Sequence, residues 1–400
     1  MTAVAMRRTR TPGAPVPSLP HRLGVSLGGT DRGRSGIGTY AREVVRRLAG
    51  MSESGSLEVI GSVAEIGALG LDELRGPRLA RAFEHPAANI LWHQYALPRV
   101  ARAHSYDVLF LPAGNRRLPG RVDTPSVGTV HDWSSLHVAG KYDIARSFYI
   151  ERVLPGLVRK LTRVITVSQS SKRDIVEHAQ VDPARVVVIP NGVDLNLYRP
   201  GPRDEARREL ARGLGVIGPY LLYVSRIEHP GKNHVRLLRA FERFKLETGL
   251  PHRLVLAGPD WNRADHVHRE IARSRYRDAV VTTGFVDSAL LPALYRGADA
   301  VVFPSLYEGF GIPVIEAMAC GTPVVCSDRS SLPEVGGDAV HYVNPECPVS
   351  LADGMTAVVT EPTVAAALRD KGLERSADFS WDVTAARTAA VLALTAEERS

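Results

Sequence analysis

Short aliphatic and β-branched runs alternate along this chain with stretches of helical apolar spacing, a pattern that predicts parallel sheets joined by helical crossovers. In the first half the runs fall at residues 23–27, 57–62, 108–111, 126–130, 164–167 and 186–189. A second set begins at 220–224 and continues at 253–257, 279–282, 300–303, 323–327 and 339–343. Between the sets the sequence turns polar around Pro200 and Pro202, which reads as a linker over 196–218. Residues 381–394 regain helical spacing and are expected to cross back onto the first half. The pattern therefore predicts an α/β protein with two Rossmann-like domains, 21–195 and 219–378, whose parallel sheets face across a cleft. A helix over 379–397 returns to the first domain, and residues 1–20 form a basic, proline-rich disordered tail.

Composition narrows the class without naming a chemistry. Four hundred residues, 44% apolar and 23% charged, suit a multidomain globular chain. The tail carries Arg7, Arg8 and Arg10 among prolines and lacks the apolar core of a secretory signal. No apolar run approaches the roughly 18 residues of a membrane span. Cys320, Cys326 and Cys347 lack paired spacing, so a disulfide framework or zinc site is not expected, and a cytoplasmic setting fits. Residues 1–195 carry 26 Lys/Arg against 17 Asp/Glu, whereas 196–400 carry 24 against 26. That asymmetry leaves open an anionic lipid surface, with peripheral contact at the inner face of the plasma membrane, a phosphorylated acceptor, or ordinary solvated arginine. Nucleic acid is not expected, because no helix-turn-helix, zinc or aromatic RNA-binding signature is present.

The candidate chemistry sits where predicted strands end. Residues 303–316 run from a strand through a loop with Glu308, Gly309, Phe310 and Gly311 into a helix, started by Pro313, that carries Glu316. Two carboxylates eight positions apart across such a loop can reach one cleft at the carboxyl end of a strand, where open α/β sheets bind ligands. Carboxylates and bare glycine amides suit a polyhydroxylated ligand; two solvated acids at a helix start are the plainer alternative. Arg226 and Lys232 flank a loop that opens a helix after 220–224, a fork and a point charge fit for a diphosphate. A glycine-rich turn after 23–27 contains Gly36 and Gly38 and would offer amides to phosphate, although it matches neither common nucleotide-binding spacing. His131-Asp132 follows the strand 126–130, as a hydrogen-bonding or proton-transfer pair or as a structural one. Ser171 and Asp174 match a capping box, Asn191-Gly192 a turn, and Gly284-Phe285-Val286 a strand end that could border a flat base.

Taken in order over about residues 23–394, these elements resemble the retaining glycosyltransferases of family 4, which have the GT-B fold. The resemblance implies that Arg226 and Lys232 bind the donor diphosphate and that Glu316 binds the nucleotide ribose. Glu308 and the amides of Gly309, Phe310 and Gly311 would hold the donor sugar. Gly36 and Gly38 would approach the phosphate from the opposite domain, and His131 the transferred sugar. Phe285 and Val286 would contact the base through their backbone. It also implies retention of configuration without a bound metal or cofactor. Ser35-Gly36-Ile37-Gly38-Thr39-Tyr40, the segment 91–98 and Thr129-Val130-His131-Asp132 look most like bacterial mannosyltransferases of polysaccharide or glycolipid assembly, so GDP-mannose is the expected donor. His93-Gln94 stands where such enzymes often carry an acid, on the acceptor side. The acceptor, a glycan, a lipid-linked or a small-molecule hydroxyl, stays open. So do a UDP-glucose, UDP-N-acetylglucosamine or deoxysugar donor, a nucleotide-sugar epimerase, and an inactive nucleotide-sugar-binding protein. Basic residues over 142–163 with Phe148, Tyr149 and Ile150 read either as a membrane-contacting helix or as one packed on its own sheet.

Overall fold

The computed structural model describes residues 19–121, 123–138, 140 and 147–398. The tail before Leu19 and the start of the basic stretch, 141–146, lie outside them. Among the described residues seven strands form the first sheet: β1 (Leu23–Ser26), β2 (Leu57–Ser62), β3 (Arg78–Leu79), β4 (Val108–Leu111), β5 (Ser126–Thr129), β6 (Arg163–Thr166) and β7 (Val186–Val188). Six form the second: β8 (Tyr220–Val224), β9 (Arg253–Ala257), β10 (Val280–Gly284), β11 (Ala300–Phe303), β12 (Val324–Ser327) and β13 (His341–Val343). The orders are β3-β2-β1-β4-β5-β6-β7 and β10-β9-β8-β11-β12-β13, and neighbouring strands pair in parallel throughout. Helices cover both faces of each sheet, so its central strands are buried on both sides and read as continuous apolar runs. In each sheet the strand order reverses beside the first strand, β1 or β8, and there the carboxyl ends of the strands open a crevice.

The helices close these layers by their apolar faces. Gly36–Met51 buries Ile37, Tyr40, Ala41, Val44, Val45 and Leu48 on one stripe, and Ser35 caps it by accepting from the Gly38 amide at 3.4 Å. The last helix, Trp381–Glu397, packs on that stripe and on β4, β5 and β6. Its first turn is tied to the loop before the linker: Val193 pairs with Ser380, and the Thr384 hydroxyl donates to the Pro190 carbonyl at 2.7 Å. Asn191-Gly192 is thus a docking point for the returning helix as well as a turn.

Two local expectations are corrected, and part of the basic stretch is placed. The span 196–218 contains the helix Arg203–Leu214, which buries Ala206 and Leu210 against the second domain. Two buried positions in twelve give too weak a stripe to separate it from a polar linker. The helix Gln169–Ala179 is capped by Ser168, which accepts from the Ser171 amide at 3.0 Å. Ser171 instead donates to the His131 carbonyl, which releases Asp174 for contacts elsewhere. The described part of the basic stretch, from Ser147, passes through Tyr149–Val153 into the short helix Leu154–Val158. Leu154, Leu157 and Val158 join the first domain's core, while Phe148 remains exposed. No helix among the described residues is long and apolar enough to cross a membrane.

Candidate active site

A cleft of about 900 Å³ separates the two sheets, bordered by the loops after β1, β5 and β7 on one side and after β8, β10 and β11 on the other. That volume is at the upper end for a single organic ligand. Gly36, His131, Arg226, Lys232, Phe285, Val286, Glu308, Gly309, Phe310, Gly311 and Glu316 all line it. Gly38 does not. A Cβ there would meet the Thr30 carbonyl and the Gly33 Cα at 2.6 Å, so this glycine lets the helix start against its own turn and does not face a ligand.

The second domain supplies the charges. Lys232 Nζ donates to Glu308 Oε1 at 2.6 Å, with both side chains mostly withdrawn from solvent. Arg226 lies over the Trp261 ring, 4.8 Å from its centre, with its guanidinium 3.6 Å from Glu228. The loop that carries Lys232 is rigid. Tyr223 donates to its carbonyl, and Asn233 donates to the Pro304 and Pro345 carbonyls, which ties this loop to the one after β11. The Glu308 loop is fixed in turn by Ser330, which accepts from the Glu308 amide, and by Ser331, which donates to the carbonyls of Glu308 and Phe310. The Phe310 ring turns away to pack edge-on against Phe379, leaving its backbone at the cleft. Gly311, with φ +104°, leads into the helix Ile312–Ala319, which presents Glu316 one turn in.

Glu316 sits on the cleft floor. The Tyr295 hydroxyl donates to its Oε2 at 2.7 Å, and burial pushes its carboxyl above the usual range against the hydrogen bonds of Tyr295 and Tyr198. Because its folded value is raised, the ionised carboxyl weakens the fold as pH rises through that value. Glu316→Gln is therefore expected to leave Tm at pH 7 equal or higher. It should weaken nucleotide binding by roughly 10- to 100-fold if the carboxylate accepts ribose hydroxyls, on the usual worth of a charged hydrogen bond. Thermal melts with a nucleotide titration check both, and unchanged affinity would remove the ribose assignment. Phe285 is exposed at the rim and Val286 buried, so Val286 offers only backbone to a base.

The first domain supplies His131, which is buried against the Tyr40 ring at 4.7 Å and donates from Nε2 to the Pro112 carbonyl at 2.8 Å. That bond sets the tautomer and leaves Nδ1 as an acceptor. Burial lowers its pKa from 6.5 to about 4, so the ring is neutral near pH 7. His93, which the resemblance put on the acceptor side, does not line this cleft. It is buried under the turn after β1, accepts from Ser26 and leaves no room for a side chain at Gly28. Its pKa is also lowered to about 4 by burial. Two histidines held neutral stabilise the fold fully above about pH 6.5, and that stabilisation is lost as pH falls toward 4. Tm is expected to drop by several degrees across that window, and by less in His93→Gln; equal slopes would remove His93 from the account. Sequence reasoning did not single out Asn191 as a site residue. Its side-chain oxygen is buried at the cleft with no hydrogen-bond partner among the described residues.

Residues 34–197 match the family described as Glycosyltransferase Family 4, and residues 211–375 match Glycosyl transferases group 1. The chain is similar to O-antigen chain mannosyltransferase B of Escherichia coli, 28% identical over 87% of this chain and 93% of that one. It is 32% identical to the MMP alpha-(1->4)-mannosyltransferase of Mycolicibacterium hassiacum over 59% of this chain, a match that spans 54% of that relative. Anabaena HepE, solved in complex with UDP and glucose, has the same fold, with a TM-score of 0.71 and 20% identity over 93% of this chain and 99% of that one. With one family matched in each domain and the charged cleft between them, the chain belongs to the family 4 glycosyltransferases and has their GT-B fold.

Proposed function

We propose that this protein transfers mannose from GDP-mannose to a hydroxyl of a glycan, lipid-linked or small-molecule acceptor, with retention of configuration and no metal on the diphosphate. The observation that carries the reading is the Lys232–Glu308 pair at 2.6 Å beside Arg226, a cation for the diphosphate in contact with a carboxylate for the sugar. Arg226 and Lys232 would neutralise the leaving diphosphate, electrostatic stabilisation of charge as it develops. Glu308 and the amides of Gly309, Phe310 and Gly311 would hold the sugar, and Glu316 the ribose. Gly36 would approach the phosphate from the first domain, and the backbone at Phe285 and Val286 would border the base. His131, neutral and with Nε2 committed to Pro112, would accept a sugar hydroxyl through Nδ1. The acceptor hydroxyl would attack from the leaving-group face and pass its proton to the departing phosphate oxygen, so neither Glu308 nor Glu316 acts as a glycosidase-type nucleophile. Mannose rests on the similarity to the two mannosyltransferases described above. The basic first domain would suit work against an anionic membrane at the cytoplasmic face.

The test is a hydrolysis and transfer screen across GDP-, UDP- and dTDP-sugars, with the product's anomer read by NMR. GDP-mannose is expected to turn over fastest and to survive chelation of divalent ions. Preference for a UDP-sugar would overturn the donor, and full loss restored by Mn²⁺ would overturn the metal-free chemistry. A second reading, UDP-glucose as donor, is supported by the UDP and glucose bound in HepE.

A further inference from the structure

A second cluster of polar side chains lies in the first domain beside the Glu308 loop, outside the donor cleft. His137 ends the short helix Ser134–His137 after β5, and Asp174 and His178 stand one turn apart on the helix Gln169–Ala179. That i, i+4 spacing puts a carboxylate and an imidazole on one face. His137 Nε2 is 3.0 Å from Asp174 Oδ1, and one nitrogen of His178 joins them so that all three atoms lie within 4.8 Å of one another. The two imidazoles are exposed and the carboxylate is buried. From the second domain the Tyr307 hydroxyl donates to the other oxygen, Asp174 Oδ2, and its ring stacks on His137 at 4.5 Å and 8°.

We propose that His137, Asp174 and His178 form a zinc site whose carboxylate is oriented by Tyr307 from across the domain boundary. Two imidazoles and one carboxylate suit zinc, whereas magnesium and calcium favour oxygen ligands. On a tetrahedral zinc with bonds of about 2.0–2.1 Å, ligand atoms stand roughly 3.3 Å apart. The His137–Asp174 pair is already at that spacing. The His178 nitrogen, within 4.8 Å of the other two atoms, closes by rotation of its exposed side chain, and the solvent side leaves a fourth position for water. A hydrogen bond to the non-coordinating carboxylate oxygen is what fixes a metal-binding aspartate in place, and Tyr307 supplies it. The site takes no part in the transfer chemistry and does not depend on which donor is used.

The test uses the full chain freed of metal by a chelator and titrated with Zn²⁺ against a chromogenic competitor, with Co²⁺ as a visible-absorption probe. One equivalent of zinc is expected to bind, with the strong visible bands of four-coordinate cobalt. His137→Gln and His178→Gln should each weaken binding at least as much as the roughly 10- to 100-fold typical of losing an outer-shell partner. Tyr307→Phe, which keeps all three ligands, should fall within that range. Circular dichroism confirms that each variant is folded. Equal zinc affinity in the wild type and both histidine variants would overturn the site, and undiminished affinity in Tyr307→Phe would overturn the contact across the domains.

Discussion

Lys232→Ala is expected to lower kcat/KM by about 10²- to 10³-fold, the scale of removing one preorganised charge-stabilising group, while the protein stays folded. The fold should survive because Lys232 contributes little to the core. The loop is held by Tyr223 on its carbonyl and by Asn233 on two others, and the side chain itself ends at Glu308. The activity should not survive, for two reasons that add. A cation is lost where the diphosphate charge develops, and Glu308 is left without its partner at 2.6 Å, a carboxylate facing an incoming dianion. Lys232→Ala/Glu308→Gln separates the two effects. Relieving the bare carboxylate should recover part of the nucleotide affinity, yet turnover should stay low because no cation returns. Isothermal titration with the nucleoside diphosphate and initial-rate kinetics measure both, and near wild-type turnover in Lys232→Ala would sink its assigned role. Arg226 lies over the Trp261 ring and approaches Glu228, so it cannot move into the vacated position without giving up those contacts.

What was legible from the residues was local chemistry at the ends of strands. Buried parallel strands announce themselves as short apolar runs, and the residues just after them are where a crevice must open. Glu308, Glu316, Arg226, Lys232 and His131 could therefore each be placed near a strand's carboxyl end, and the family resemblance gathered them at one cleft. β3 was missed because two residues at a sheet edge leave no run to see. The helix Arg203–Leu214 was missed because its apolar stripe is too thin. His93 and Gly38 show a different limit. Each sits in a segment that reads as functional, but what decides its role is a close approach: a histidine ring under Gly28 from 65 positions away in one case, and a turn carbonyl in the other. Asp174 shows the same limit across domains. Its spacing from Ser171 matched a cap, yet its partners, His137 and Tyr307, come from 37 positions upstream and 133 downstream. Side-chain pattern reports the face a residue occupies, not which distant backbone meets it.

Gly309→Ala should carry the other large effect, a fall in turnover of at least about 10²-fold with nucleotide binding largely kept. A Cβ on residue 309 would lie 2.2 Å from the His131 carbonyl and 2.9 Å from the Asp132 Cβ, contacts that no relaxation of a flexible side chain can relieve. The obstacle stands between the domains and not within one. The Glu308 loop of the second domain meets the first at that carbonyl, which the Ser171 hydroxyl also holds. Nearby, Glu334 accepts from the Gln169 and Ser170 amides at 2.7 Å, a carboxylate from one domain on a helix start of the other. One added methyl would thus wedge apart the surfaces that bring His131 and Gly36 to a donor already held by Arg226, Lys232 and Glu316. Those three residues belong to the second domain, so affinity for the nucleoside diphosphate should change by less than the rate does. The two readouts must split. If Gly309→Ala loses affinity and turnover together, the glycine serves the second domain's own loop; if turnover persists, the closed contact at His131 is not needed for transfer.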